Sequence, residues 1–297
     1  MLPLTLLTYN VHLFPPIVAL LAWLRGDVAV KDDALRCRKI AQCIAGTNAD
    51  VVVLCEVWYN RYAESLVAAL RQHYPYAVVA PSCGNLLRRE LLGSGLLLLS
   101  KYPLAEAEFI PYEARAGEDR WARKGFVRAS LELTPLNFIG VFATHVQAGY
   151  ANAPHTAERL SNIRQLAAAV QHFQATQPAG TPVFVLGDFN ISDDSDEYWV
   201  LASMLGACGL EDAAAMNPRP TIGQGNVLQW LFSKREHTAR VDYVFAPRGC
   251  VEWALTHPKL LPLDLQRLSF RHSYTYGDYS EDLSDHYPLL TRTVLHL

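Results

Sequence analysis

The chain has 297 residues, of which 51% are apolar and 19% charged, with 17 glycines and 17 prolines. That composition excludes a disordered chain, a collagen-like fibre and a small disulfide scaffold, and leaves ample material for a large core. The formal charge of −3 lacks the basic excess with which proteins usually grip a polyphosphate backbone, so no stable nucleic-acid partner is expected.

In chain order, short β-like runs alternate with amphipathic stretches. Strands are predicted at Leu4–Tyr9, Val51–Cys55, Leu96–Ser100, Val127–Leu133, Asn137–Thr144, Val183–Leu186, Val241–Ala246 and Pro288–Leu295. Val51–Leu54 and Val183–Leu186 are apolar on both faces, as strands sandwiched between layers are. One helix is expected to be capped by Asp32 or Asp33 and to stop at Gly46, and a second covers Arg61–His73. A third is expected to be capped by Thr156, and a fourth runs from Asp194 or Ser195 to near Gly209. Loops are expected at 81–93, 111–124, 148–155, 191–196, 213–239 and 257–284. Mixed elements without a composition break predict a single layered α/β domain over 1–297.

The six cysteines form no C-x-x-C pair, which argues against a zinc ribbon or a redox site and for buried free thiols. The longest apolar stretch, Leu13–Leu24, has 12 residues and two prolines, well short of the ~20 needed to span a bilayer. It reads as a core helix or as an apolar flap in contact with lipid. The N-terminus carries no basic segment before an apolar core. A cytoplasmic or peripheral-membrane location is therefore expected, with secretion open if a signal peptide precedes the sequence.

Several apolar strands deliver one polar residue at their end: Asn10, Glu56, His145, and the Gly187-Asp188-Phe-Asn190 run, joined by Asp242 and by Asp285-His286. Such placement is how a rigid sheet assembles a site. The residue types fit metal-assisted phosphoryl transfer. A hard divalent cation takes oxygen ligands, with Glu56 as anchor and Asn10 and Asp285 as additional ligands. Asn190 and His145 can meet the phosphate oxygens, and His286 beside Asp242 suits the base that activates water. No Walker A, H-E-x-x-H or G-x-S-x-G motif competes.

The runs Thr8-Tyr-Asn10-Val, Val53-Leu-Cys-Glu56-Val, Gly187-Asp-Phe-Asn190, Arg240-Val-Asp242-Tyr-Val and Ser284-Asp285-His286-Tyr-Pro resemble the endonuclease/exonuclease/phosphatase superfamily, in the family's order. Glu56-Val-Trp58, Lys124-Gly-Phe-Val127, Thr144-His-Val-Gln147-Ala148 and the Tyr274–Tyr279 run are most similar to its neutral, Mg-dependent sphingomyelinase branch. The resemblance implies a DNase I-like, four-layer α/β/β/α sandwich of two mixed, mainly antiparallel sheets. It implies a Mg²⁺-dependent phosphodiesterase of phospholipase C type, with Mn²⁺ or Co²⁺ as substitutes, acting as a monomer on phospholipid at a membrane surface. The alternative on the same scaffold is a DNA or RNA endonuclease or a phosphatase.

Carried over, Glu56, Asn10 and Asp285 hold the metal, while His145, Asp188 and Asn190 surround the phosphate. Asp242 orients His286, the water-activating base, and His145 contacts or protonates the leaving group. Trp121, Tyr150, Tyr274, Tyr276 and Tyr279 are candidates to receive a quaternary ammonium headgroup. Two departures from secreted bacterial relatives stand out. There is no cysteine pair around 111–124 and 148–155, and 258–272 is Leu-rich without tryptophan.

Overall fold

Val51–Leu54 is apolar at every position and Leu4–Val11 is buried along nearly its whole length, so each strand must lie between two covering layers. The computed structural model describes residues 1–17, 29–30, 33–80, 92–149, 154–223, 225–226, 228–229, 237–256, 268–271, 276–280 and 282–296.

The strands are β1 (Leu2–Leu13), β2 (Ala29–Val30), β3 (Val51–Val57), β4 (Tyr76–Val79), β5 (Leu97–Ser100), β6 (Leu104–Pro111), β7 (Gly125–Thr134) and β8 (Asn137–His145). They continue with β9 (Val183–Asp188), β10 (Leu210–Asp212), β11 (Asp242–Pro247), β12 (Val251–Thr256), β13 (Leu268–Arg271), β14 (Tyr276–Ser280) and β15 (Leu289–Leu295). The helices are α1 (Asp33–Thr47), α2 (Asn60–Leu70), α3 (Thr156–Thr176) and α4 (Asp196–Ala207).

One sheet has the order β12-β15-β1-β3-β5-β4 and the other β10-β11-β9-β8-β7-β6. Within each, a single parallel pair, β1/β3 or β8/β9, sits among antiparallel neighbours. Leu4, Leu6, Val51, Val53 and Leu98 of the first sheet meet Val127, Val141, Phe184, Leu186 and Val244 of the second in a common core. The opposite faces are covered by α1 and α2, through Ile40, Ile44 and Leu66, and by α3 and α4, through Ile163, Leu166, Val170 and Leu201. The result is the expected four-layer α/β/β/α sandwich. Among the described residues, no helix is long and apolar enough to cross a membrane.

The predicted strands are all present, with shifted ends: β1 and β3 run past Asn10 and Glu56 instead of stopping before them, while β5, β11 and β15 start later than expected, at Leu97, Asp242 and Leu289. The edge strands β4, β6, β10 and β12 are not among the predicted ones: β4 and β10 are short, at 4 and 3 residues, and β6 and β12 mix apolar with charged residues. The expected loop at 257–284 contains β13 and β14, which form a small third sheet with β2. Ser195 caps α4 by accepting the Tyr198 N–H at 3.3 Å, as expected. Thr156 does not cap α3: the position before the helix is His155, and the Thr156 hydroxyl donates instead to Glu197 at 2.9 Å.

Two features of topology position the site. The parallel pairs bring the carboxyl ends of β1, β3, β8 and β9 to the same end of the sandwich, with Asn10 opposite Cys55 and His145 opposite Asp188. The antiparallel partners start there: Asp242 pairs with Asp188 across β11/β9, and the turn leading into β15 follows Asp285-His286. The Ser284 hydroxyl donates to the Asn10 carbonyl at 2.7 Å and ties the two ends of the chain together.

Candidate active site

Glu56, next to last in β3, sits in the left-handed region (φ 63°), as do His12 near the end of β1 (47°) and Asn190 just after β9 (52°). Such conformations cost non-glycine residues about 1–3 kcal/mol each and persist only where the surroundings over-determine them. Glu56 and His12 bring their side chains into one cluster, and Asn190 joins it through its backbone N–H. The Asn10 amide donates to Glu56 Oε1 at 3.0 Å and to Asp188 Oδ2 at 2.9 Å, while its oxygen accepts the His12 N–H at 3.1 Å. As placed, Asn10 therefore orients two carboxylates; its oxygen is turned to the backbone and not toward a ligand position. His145, 1% exposed, sets Nε2 at 3.5 Å from Asp188 Oδ2 and 3.9 Å from Glu56 Oε1. Asn190 donates its backbone N–H to Asp188 Oδ1 at 2.9 Å and its amide to the Val146 carbonyl at 3.1 Å.

His286 Nδ1 lies 2.7 Å from Asp242 Oδ2. The pair is stapled by the segment at 221–226. Thr221 Oγ1 accepts the Val241 and Asp242 N–H groups at 3.0 and 3.2 Å, its carbonyl accepts the Tyr287 N–H, and Asn226 donates to the Ser284 carbonyl at 2.9 Å. Asp285 touches the cluster through His12, whose Nδ1 is 3.5 Å from Asp285 Oδ2 and 3.2 Å from Glu56 Oε2.

Four residues were not singled out from the sequence: His12, Trp58, Thr221 and Asn226. His12 and Trp58 stand two positions beyond Asn10 and Glu56, so strand parity offered a signal. Trp58 donates to Glu56 Oε2 at 3.4 Å, and its ring centroid is 5.8 Å from that of His145. Thr221 and Asn226 lie in an expected loop with no pattern to mark them.

Trp121 is placed elsewhere. It is 45% exposed on a 3₁₀ turn at Gly117–Trp121 and makes no described contact with the cluster. The turn itself is pinned to the strand end after His145. Asp119 accepts the Ala148 N–H at 2.6 Å and pairs with Lys124 at 2.9 Å, and Lys124 donates to the Val146 carbonyl at 3.2 Å. Tyr150 and Tyr274 lie outside the described residues, as do the side chains of Tyr276 and Tyr279 and the 18–24 part of the apolar stretch.

Burial and charge set the proton affinities. Burial pushes the Glu56 carboxyl up, but His12, His145 and the Asn10 amide outweigh it and hold it well below the usual range. Asp188 is pushed up to about 7 by burial and the Asp242 charge. Burial disfavours a charged His286, yet Asp242, with Asp285 and Asp188 behind it, holds its proton affinity well above that of a free imidazole. His145 moves the other way, kept neutral chiefly by burial and then by Lys124.

A divalent cation fits this donor set. Two overlapping groups, Glu56/His145/Asp188 and Asp188/Asp242/His286, bring carboxylate and imidazole atoms within 4.8 Å of one another. Asp285 belongs to neither. Both ring nitrogens of His145 and one Asp242 oxygen are buried without a hydrogen-bond partner among the described residues, which is costly unless something else meets them.

A profile of the Endonuclease/Exonuclease/phosphatase family matches residues 7–286. The chain belongs to that family. Among curated members it is 26% identical over 274 residues to Sphingomyelinase C 2 of Leptospira interrogans serogroup Icterohaemorrhagiae serovar Lai (strain 56601), with 86% of this chain and 41% of that protein covered. It spans less than half of that relative. Sphingomyelinase C of Listeria ivanovii is 26% identical over 269 residues, covering 84% of this chain and 77% of the relative. Among solved structures, Sphingomyelinase C of Streptomyces griseocarneus superposes with a TM-score of 0.79 at 24% identity, covering 98% and 99% of the two chains. The beta toxin of Staphylococcus aureus, in a mutant with bound magnesium ions, gives 0.78 at 19% identity with the same coverage. At these identities the structural matches establish the DNase I-like fold of this family member.

Proposed function

We propose that the protein is a Mg²⁺-dependent phosphodiesterase of phospholipase C type that hydrolyses sphingomyelin or a related choline phospholipid and releases phosphocholine. The observation that carries this reading is the His286–Asp242 pair, 2.7 Å apart, set beside Asp188 and the Asn10–Glu56 cluster. The names and sequence similarity of the sphingomyelinase C relatives support the substrate class.

Glu56, oriented by Asn10, would hold the metal, with Asp285 across His12. When bound, the ion supplies Lewis acidity at the scissile phosphate. In its neutral form His286 accepts a proton from the attacking water through Nε2, since Nδ1 faces Asp242, which compensates the imidazolium that forms. The neutral His145 ring and the Asn190 side chain offer hydrogen bonds to the phosphate oxygens. Asp188, whose pKa is raised to about 7, can carry a proton at neutral pH to meet the departing lipid alkoxide. Lys124 and Arg36, whose charges reach His145 and His12, are buried and paired with Asp119 and Asp33. Neither offers a phosphate-backbone groove of the kind a nuclease needs.

We further propose that the enzyme is a monomer that meets this substrate by peripheral contact with a membrane surface. Mn²⁺ and Co²⁺ are expected to replace Mg²⁺. The test offers purified protein and Mg²⁺ vesicles of sphingomyelin, phosphatidylcholine or a phosphoinositide, lysophosphatidylcholine, and an abasic duplex. Phosphocholine release from sphingomyelin, abolished by EDTA and restored by Mg²⁺, is expected. Full turnover in EDTA, or cleavage of the duplex alone, overturns the proposal.

A further inference from the structure

We propose that His12 is itself a metal ligand, a nitrogen donor beside Glu56 that tilts the site toward Co²⁺ relative to Mg²⁺. This rests on the reading of Glu56 as the metal anchor and goes beyond it by adding a residue and a selectivity.

The placement of the imidazole is the first argument. Nδ1 lies 3.2 Å from Glu56 Oε2 and 3.5 Å from Asp285 Oδ2, between the two carboxylates. Two donors bound side by side on an octahedral ion at about 2.1 Å are about 3 Å apart, so the Glu56–His12 spacing already matches a shared ion within a few tenths of an ångström.

The second argument is how much structure aims this one ring. The left-handed backbone at His12 is held on one side by the Asn10 side chain, which accepts its N–H at 3.1 Å. On the other side its carbonyl accepts from the guanidinium of Arg36. Arg36 is fully buried, pairs with Asp33 at 2.7 Å, and also donates to the carbonyls of Val11 at 2.8 Å and Leu283 at 2.7 Å. One arginine thus clips the end of β1 to the chain just before Asp285, fixing His12 and Asp285 in the same frame. The edge-on contact with Phe14, 4.8 Å between centroids, completes the seat of the ring. On the other side of Glu56, at Oε1 rather than Oε2, the buried nitrogens of His145 have no hydrogen-bond partner among the described residues, so Glu56 stands between two imidazoles.

The consequence follows from ligand chemistry. Mg²⁺ strongly prefers oxygen donors and water, whereas imidazole nitrogen strengthens binding of later first-row ions such as Co²⁺. A site of carboxylates and water alone would show a smaller bias.

Pulsed electron paramagnetic resonance on the full chain loaded with Mn²⁺ reads the contact directly, through the modulation from a coordinated ¹⁴N nucleus, and needs no variant. It is expected in the wild type and diminished in His12→Gln, any remainder coming from His145 on the other side of Glu56. Isothermal titration of Co²⁺ and Mg²⁺ is expected to show the Co²⁺-to-Mg²⁺ affinity ratio falling about tenfold in His12→Gln. No nitrogen modulation in the wild type, modulation undiminished in His12→Gln, or an unchanged affinity ratio overturns the proposal. Glu56→Gln separates the two levels: it is expected to abolish Mn²⁺ binding, and binding at wild-type affinity would overturn the Glu56 anchor itself.

Discussion

Asp188 and Asp242 face each other across the β9/β11 ladder, so the residue that Asn10 orients and the residue that orients His286 are cross-strand partners. Two buried carboxylates at one ladder position repel, and that repulsion, after burial, is what lifts Asp188 to about 7.

Relieving this repulsion is expected to stabilise the metal-free protein. Asp188→Asn removes a carboxylate that is costly when ionised, so at pH 8 its melting temperature should rise by about 2–4 °C for each kcal/mol relieved. The gain should shrink as pH falls below about 7, where the wild-type group takes up a proton. Phosphocholine release should fall at least ~100-fold in the same variant. Differential scanning calorimetry at pH 6 and pH 8 with EDTA present checks the first part; a lower melting temperature at pH 8 contradicts it.

His286→Ala and Asp242→Asn are expected to lower kcat by about 10²–10⁴ while the far-ultraviolet spectrum is retained. His286 is partly accessible and Asp242→Asn keeps the shape of its site. Activity within a few-fold of wild type in His286→Ala would remove it from the base role.

The raised proton affinity of His286 gives a signed pH dependence. In the metal-free protein the folded imidazole binds its proton more tightly than an unfolded one, so the Asp242 pair stabilises the fold fully below pH ~6.5. That contribution is lost as pH rises through the higher folded value. Nuclear magnetic resonance titration should find His286 still protonated above pH ~6.5, and Asp242→Asn should bring its titration down.

Asn10→Ala should act through Glu56. Removing the amide that bridges Glu56 and Asp188 leaves both carboxylates less well oriented, and Mg²⁺ affinity by calorimetry should fall about 10–100-fold. An unchanged affinity would assign Asn10 to the phosphate alone.

Gly187 is the backbone counterpart of these side-chain tests. A Cβ there would stand 1.8 Å from the Thr144 carbonyl, on a residue at φ 151°. Gly187→Ala should therefore disrupt the β8/β9 pairing that sets His145 opposite Asp188, and cost at least ~3 kcal/mol in urea unfolding.

Much of the layer plan was legible in the sequence because the central strands β1, β3, β8 and β9 are buried on both faces and leave long apolar runs. The edge strands were not: β6, β10 and β12 carry charged residues among apolar ones, and β4, though apolar, is only 4 residues long. The cap of α3 was misread because Thr156 is recruited by Glu197 on α4, a partner 41 residues away in the chain. For the site, residue type and motif order were enough to name Asn10, Glu56, His145, Asp188, Asn190, Asp242, Asp285 and His286 as candidates.

Their division of labour was decided only by the fold. Whether the Asn10 amide offers its oxygen or its N–H groups depends on which atoms surround it, and the left-handed turn at His12 takes the oxygen. Thr221, Asn226 and Arg36 support the site through hydrogen bonds to backbone groups, which leave no signature in side-chain chemistry. Trp121 had the right type but sits exposed on its own turn. The sequence determined the chemical inventory and the layers, because hydrophobic periodicity and residue type are local properties. Proton affinities and contacts were left to tertiary structure, because they depend on burial and on charges brought together from opposite ends of the chain.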